Sequence, residues 1–171
     1  MTRTLVLGGT RSGKSRYAED LMPADVPVRY LATARRRADD AEWTARLEAH
    51  RVRRPAGWVT VEEPDVSAIV TAGGGPLLVD DLATWLTNVL DDAGAWEGGA
   101  DIGPSTTALV DAVASAPGEV VLVSAEVGLG VVPATRSGRL FRDELGALNA
   151  ALAAVCDEVL LLVAGLPVRL K

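Results

Sequence analysis

The chain has 171 residues, of which 17 are Lys or Arg and 23 are Asp or Glu, giving a net charge of −6. That balance argues against non-specific nucleic-acid binding as the main task, and an aromatic content of 4% leaves too few rings for a base-stacking surface. Nearly half of the residues are apolar, enough for one domain with a single core spanning residues 1–171.

The run 4–7 (Thr-Leu-Val-Leu) reads as a strand, and Gly8-Gly9-Thr10-Arg11-Ser12-Gly13-Lys14-Ser15 follows it. This is the G-x-x-x-x-G-K-S phosphate-binding loop, placed between a strand and the helix-like segment 14–22, as that loop requires. Glycines let the backbone curl until successive N–H groups face an anion, and the next helix adds its unpaired N–H groups. Lys14 would then reach the β- and γ-phosphates, and Ser15 would ligate Mg²⁺.

Further along, 28–32, 58–61, 77–79, 120–124 and 158–163 read as strands, with 167–170 as a short edge strand. Helical patterns fall at 39–52, 65–72, 82–92, 105–115 and 135–155, with Asp39-Asp40 and Pro104-Ser105 as helix starts. The alternation and the continuous Val/Leu runs predict a mostly parallel sheet covered by helices on both faces. Glycine-rich 73–75 and 94–103 read as loops. Cys156 lies in an apolar stretch and reads as a buried thiol. No apolar run reaches the ~18 residues of a membrane span, and the N-terminus lacks a signal-peptide pattern, so a cytoplasmic location is expected.

Two more features bear on chemistry. Leu77-Leu78-Val79-Asp80-Asp81 ends a strand in two acids, at the end that faces the ligand crevice of an open α/β sheet. Asp80 or Asp81 would serve the metal or take a proton from a substrate hydroxyl, and one of them would cap the helix at Leu82. The segment 35–54 is rich in arginine (Arg35, Arg36, Arg37, Arg46, Arg51, Arg53, Arg54), which suits a polyphosphate or, equally, a solvated helix face. It also holds His50, the single histidine, on one face with Trp43 and Leu47. Spacing alone makes His50 the edge of an apolar stripe. Positive neighbours that keep an imidazole neutral would make it a nucleophile toward phosphorus. No N-K-x-D segment is present, which disfavours a signalling GTPase.

The stretch from Gly8 to Glu19, "GG-x-RSGKS-R-x-AE", resembles the start of the bifunctional adenosylcobinamide kinase/adenosylcobinamide-phosphate guanylyltransferases of cobalamin synthesis. The resemblance continues through Tyr30-Leu31-Ala32-Thr33-Ala34, Arg46-Leu47-x-x-His50-Arg51, Arg54-Pro55-x-x-Trp58, Leu82-x-Thr84-Trp85-Leu86-Thr87-Asn88, the run 123–133, and Arg139-x-Phe141-Arg142-Asp143. It implies a RecA-like P-loop fold, a homotrimer with sites between subunits, ATP or GTP with Mg²⁺, and adenosylcobinamide as acceptor. It also implies two steps: phosphorylation of the aminopropanol hydroxyl, then GMP transfer from GTP through a covalent GMP–histidine, here His50. Nucleotide contacts carry over to Gly8, Gly9, Thr10, Arg11, Ser12, Gly13, Lys14, Ser15, Thr33, Ala34, Arg35, Arg51, Val52, Arg53, Arg54, Glu62 and Asp80. Competing readings are a monofunctional small-molecule kinase with 35–54 as a basic lid, and a nucleotide-binding regulatory module without turnover.

Overall fold

The computed structural model describes residues 1–35, 55, 57–63 and 65–171. Its strands are β1 (Arg3–Gly8), β2 (Arg29–Ala32), β3 (Val59–Val61), β4 (Leu77–Asp80), β5 (Val120–Ala125), β6 (Glu158–Val163) and β7 (Leu166–Arg169). The helices are α1 (Lys14–Leu21), α2 (Val66–Ala72), α3 (Leu82–Asp92), α4 (Gly103–Ala114) and α5 (Arg136–Val155). The expected helix over 39–52 lies outside the described residues, as do His50, Arg51, Val52, Arg53 and Arg54.

The strands form one sheet in the order β3-β2-β4-β5-β1-β6-β7, parallel throughout except for the antiparallel β6–β7 pair. Strand alternation sends side chains to opposite faces. Leu5, Leu7, Leu31, Leu77, Val79, Val120 and Leu122 pack with α2, α3, α4 and α5. Val6, Tyr30, Leu78, Val121 and Val123 pack on the other face with Ala18 of α1 and with Met22, which caps it. Burial on both faces is why β1, β4 and β5 read as unbroken apolar runs.

The last hairpin closes through two residues, Ala164 and Gly165, with φ of 52° and 80°. Positive φ at both positions marks a type I′ turn, whose twist matches an antiparallel pair. Gly165 N–H donates to Ser12 O at 3.0 Å, so this hairpin braces the phosphate loop.

Two details differ from the sequence reading. The 94–103 stretch is not plain loop: Ala95–Glu97 forms a 3₁₀ turn with Ala95 buried, and Trp96 Nε1 donates to Asp91 Oδ1 at 2.5 Å. Three residues between glycines carry no periodicity to read. Helix α4 starts at Gly103, two residues before Ser105, because Pro104 fits the first turn, where its missing N–H costs nothing. Cys156 is buried, and that burial pushes its thiol up to about 11. No helix among the described residues is long and apolar enough to cross a membrane.

At the N-terminal edge of the sheet, Arg3 clamps Asp157. Its Nη2 and Nε donate to the two carboxylate oxygens at 2.7 and 2.9 Å, and its backbone N–H donates at 2.8 Å. These bonds hold the Asp157 carboxyl well below the usual carboxylate range. A carboxyl depressed in the folded state stabilises above its unfolded value, about 3.9, and that contribution is lost as pH falls toward the folded value. Urea midpoints should therefore drop less between about pH 4 and pH 2 in Asp157→Asn than in the parent chain. Equal acid slopes would show that the clamp does not couple to folding.

Candidate nucleotide-binding and phosphotransfer site

Strand β1 ends at Gly8, whose neighbours leave no room for a side chain. A Cβ there would collide with Ser12 Oγ and lie 3.1 Å from Leu162 O. The loop then turns through Arg11 (φ 56°) and Gly13 (φ 89°), and Ser12 N–H donates to Gly9 O at 3.3 Å. Two left-handed residues in a row of turns aim backbone N–H groups to one side, the geometry of an anion cradle. Gly13 is the cap residue of α1 and offers no side-chain hydrogen bond, so the helix's first N–H groups remain available to a ligand. Lys14 Nζ lies 3.4 Å from Gly9 O, arched back over the loop. Ser12 Oγ is buried and has no hydrogen-bond partner among the described residues.

The acids at the end of β4 divide. Asp80 faces the phosphate loop: Ser15 Oγ donates to its Oδ1 at 3.2 Å and Tyr30 OH to its Oδ2 at 2.7 Å. Asp81 caps α3, its Oδ1 accepting from Thr84 N–H at 2.7 Å. The peptide joining them is cis. Thr33 locks this corner from β2. Its Oγ1 donates to Asp81 O at 2.7 Å and accepts from Asp81 N–H at 3.0 Å, while Asn88 Nδ2 holds Thr33 O at 2.8 Å.

Beyond Thr33 opens a cavity of about 440 Å³ whose lining includes Thr33, Ala34, Arg35, Glu62, Trp85 and Asn88. Four sequence-predicted residues, Thr33, Ala34, Arg35 and Glu62, thus meet in one cavity, whose lining includes no residue of the phosphate loop. Arg35 spans the cavity to Asp92 at the end of α3, with bonds of 2.7 and 2.5 Å, and holds that carboxyl below its usual range. On the other side of Asp80, the segment after β5 leaves Leu129, Val131 and Val132 exposed. No group of three or more His, Cys, Asp or Glu suited to a metal occurs among the described residues.

Tyr30, Asn88 and Asp92 were given no role from sequence. Tyr30 reaches Asp80 because the β2–β4 register sets Tyr30 beside Leu78, two residues before Asp80 on the same face. That register is a tertiary fact with no local signal. Asp92 finds Arg35 only because α3 follows a strand adjacent to β2.

A parallel sheet with a phosphate loop at the end of a central strand, and an acid at the end of a strand one removed, defines a P-loop nucleotide-binding protein. Solved structures agree at the level of fold. An ATPase from a bacterial type III secretion system matches with a TM-score of 0.53 at 16% identity, over 95% of this chain and 51% of that one. The type III ATPase EscN of enteropathogenic E. coli gives 0.53 at 14%, over 95% and 43%. The family described as "Cobinamide kinase / cobinamide phosphate guanyltransferase" matches residues 4–170, and the chain belongs to it. Its relatives include the bifunctional adenosylcobalamin biosynthesis protein CobP of Pseudomonas aeruginosa, 45% identical over 99% of this chain and 97% of the relative. The corresponding CobU of Escherichia coli is 40% identical over 98% of both. A family that joins two activities in its description favours the two-step reading over the single-activity kinase.

The cramped backbone at Gly8 generates a direct test. Gly8→Ala should lower the urea midpoint and weaken ADP binding at least about tenfold, because Ser12 and the loop must move. Gly9, with open space around its Cβ position, should tolerate alanine with the midpoint nearly unchanged. Calorimetric ADP titration and urea unfolding of both variants check this; equal behaviour would show that the close packing at Gly8 is not what shapes the loop.

Proposed function

We propose that this chain phosphorylates the aminopropanol hydroxyl of adenosylcobinamide with ATP or GTP. It then transfers GMP from GTP to the new phosphate, giving adenosylcobinamide-GDP and pyrophosphate. The observation that carries this reading is the convergence of Lys14, Ser15 and Asp80 at one end of the sheet, in a chain that its family covers almost end to end.

In the first step positioning and charge neutralisation do most of the work. The loop N–H groups and Lys14 hold the β- and γ-phosphates and stabilise charge that builds as the γ-phosphoryl group leaves. Ser15 Oγ and Asp80 Oδ1 are hard oxygen donors already in hydrogen-bond contact, which suits Mg²⁺, an ion that takes one or two protein ligands and completes its shell with phosphate and water. Bound there, Mg²⁺ would neutralise phosphate charge. Asp81 is spent on the helix cap, so Asp80 is the carboxylate that would hold Mg²⁺.

In the second step His50 attacks the α-phosphorus of GTP, pyrophosphate leaves, and the corrinoid phosphate displaces the histidine. His50 carries this role on its place in the family motif, with Arg51, Val52, Arg53 and Arg54 beside it as nucleotide contacts. Thr33, Ala34, Arg35 and Glu62, gathered on one cavity, supply further contacts to nucleotide. The protein works in the cytoplasm as one domain per chain, and three chains assemble with sites between them.

Incubation with GTP labelled at the α-phosphate should leave acid-labile label on the protein, and His50→Ala should abolish it. That variant should lose guanylyl transfer more than about 1,000-fold while its kinase rate stays within about threefold of the parent. Lys14→Ala should cut both activities at least about 100-fold. Guanylyl transfer at the parent rate by His50→Ala would overturn the assignment.

A further inference from the structure

We propose that Glu126 is the general base of the kinase step, taking the proton from the acceptor hydroxyl as that oxygen attacks the γ-phosphorus. The proposal rests on the two-step reading above and deepens it.

An alcohol attacking phosphorus must lose a proton, and residues 8–15 of the phosphate loop include no Asp, Glu or His to take it. The two acids at the end of β4, Asp80 and the following Asp81, are committed elsewhere. Asp80 accepts from Ser15 Oγ on one oxygen and Tyr30 OH on the other. Asp81 is held in the cap of α3 and follows a strand that β5 separates from β1.

Glu126 directly follows β5, the strand hydrogen-bonded to β1. Gly8 pairs in register with Ala125, and Glu126 N–H donates to Gly8 O at 3.1 Å. Its backbone is therefore fastened to the first residue of the phosphate loop. The side chain is half-buried, and its Oε1 accepts from Gly128 N–H at 2.6 Å. Oε2 makes no hydrogen bond among the described residues.

The segment is also braced from behind. Asn149, buried in α5, accepts from Ser124 Oγ at 2.6 Å and donates to Ala125 O at 3.0 Å. Arg142 donates to Gly128 O at 2.7 Å. A Cβ on Gly128 would lie 2.9 Å from Glu126 Oε1, so glycine there is what allows the carboxylate to fold back on its own loop. A carboxylate fixed in this way, with one oxygen uncommitted, is preorganised to accept a proton.

The step balances. The acceptor O–H bond breaks and its proton passes to Glu126 Oε2. The oxygen lone pair forms the new bond to the γ-phosphorus, and the bond to the β-phosphate oxygen breaks, releasing the nucleoside diphosphate. Glu126 then returns its proton to water. Guanylyl transfer needs no such base, because its acceptor is an already ionised phosphate.

That asymmetry supplies the experiment. Glu126→Gln keeps an oxygen to accept from Gly128 N–H but cannot take a proton. In the variant, phosphorylation of adenosylcobinamide should fall at least about 100-fold in kcat, with KM for nucleotide within about threefold. Label from α-phosphate-labelled GTP, and GMP transfer to pre-formed adenosylcobinamide phosphate, should stay within about threefold. Glu126→Asp should recover part of the kinase rate. A kinase rate in Glu126→Gln at or near that of the parent overturns the proposal. So does equal loss of both activities, which would mark Glu126 as a brace for its loop. A parent chain that shows neither kinase activity nor label sinks the two-step reading itself, and is distinguished by that control.

Discussion

Four backbone segments meet at the C-terminal end of β1 through one residue that has no side chain. Gly8 pairs with Ala125 on one side and Leu162 on the other, and its carbonyl accepts from Glu126. The space its Cβ would fill is taken by Ser12, which returns from the turn of the phosphate loop. Because β1 is buried on both faces, its polar backbone must be satisfied within the sheet, and the chain leaves that sheet only at its end. The site's position is therefore a consequence of packing. The loop and helix α1 lead directly out of Gly8, and the segment after β5 is bonded to its carbonyl.

That common reference explains how acids can serve a polyanion site. A carboxylate near phosphate is unfavourable unless something fixes its role. Asp80 is fixed by two hydroxyl donors, Asp81 by the backbone of a helix, and Asp92 by the Arg35 guanidinium. Glu126 is tied through one oxygen to a backbone N–H of its own loop. No two of these acids share a hydrogen-bond donor, so substitution of one should leave the others in place. The proposed division of labour between Asp80 and Glu126 follows from their strands: one acid reaches Ser15 of α1, the other sits beside Gly8.

The strands were legible because unbroken Val and Leu runs, cut by glycine and proline, leave few alternatives. The strand read at 158–163 and the helix read at 82–92 match Glu158–Val163 and Leu82–Asp92 end for end. The phosphate loop was legible because its chemistry is local. What sequence could not give were partners set by register. Tyr30 meets Asp80, and Asp92 meets Arg35, only after β2 and β4 are known to lie side by side. Two neighbouring acids likewise looked interchangeable until the start of α3 fixed Asp81 as its cap. Glu126 had a signal of the Asp80 kind, an acid after an apolar run. Ser124 and Ala125 intervene and blur it.

A chain of net charge −6 that binds triphosphate cannot rely on overall attraction, which at physiological salt fades beyond about 8 Å. Local groups must decide. Backbone N–H groups and the start of α1 carry no net charge and so are not offset by distant acids. Lys14 adds one cation at a fixed point. The same logic bears on the acceptor. A base for the hydroxyl must be anionic, yet it must not repel the phosphate it stands beside. A carboxylate already engaged by a backbone N–H meets both demands, because that donor offsets part of its charge while the second oxygen stays free for the proton.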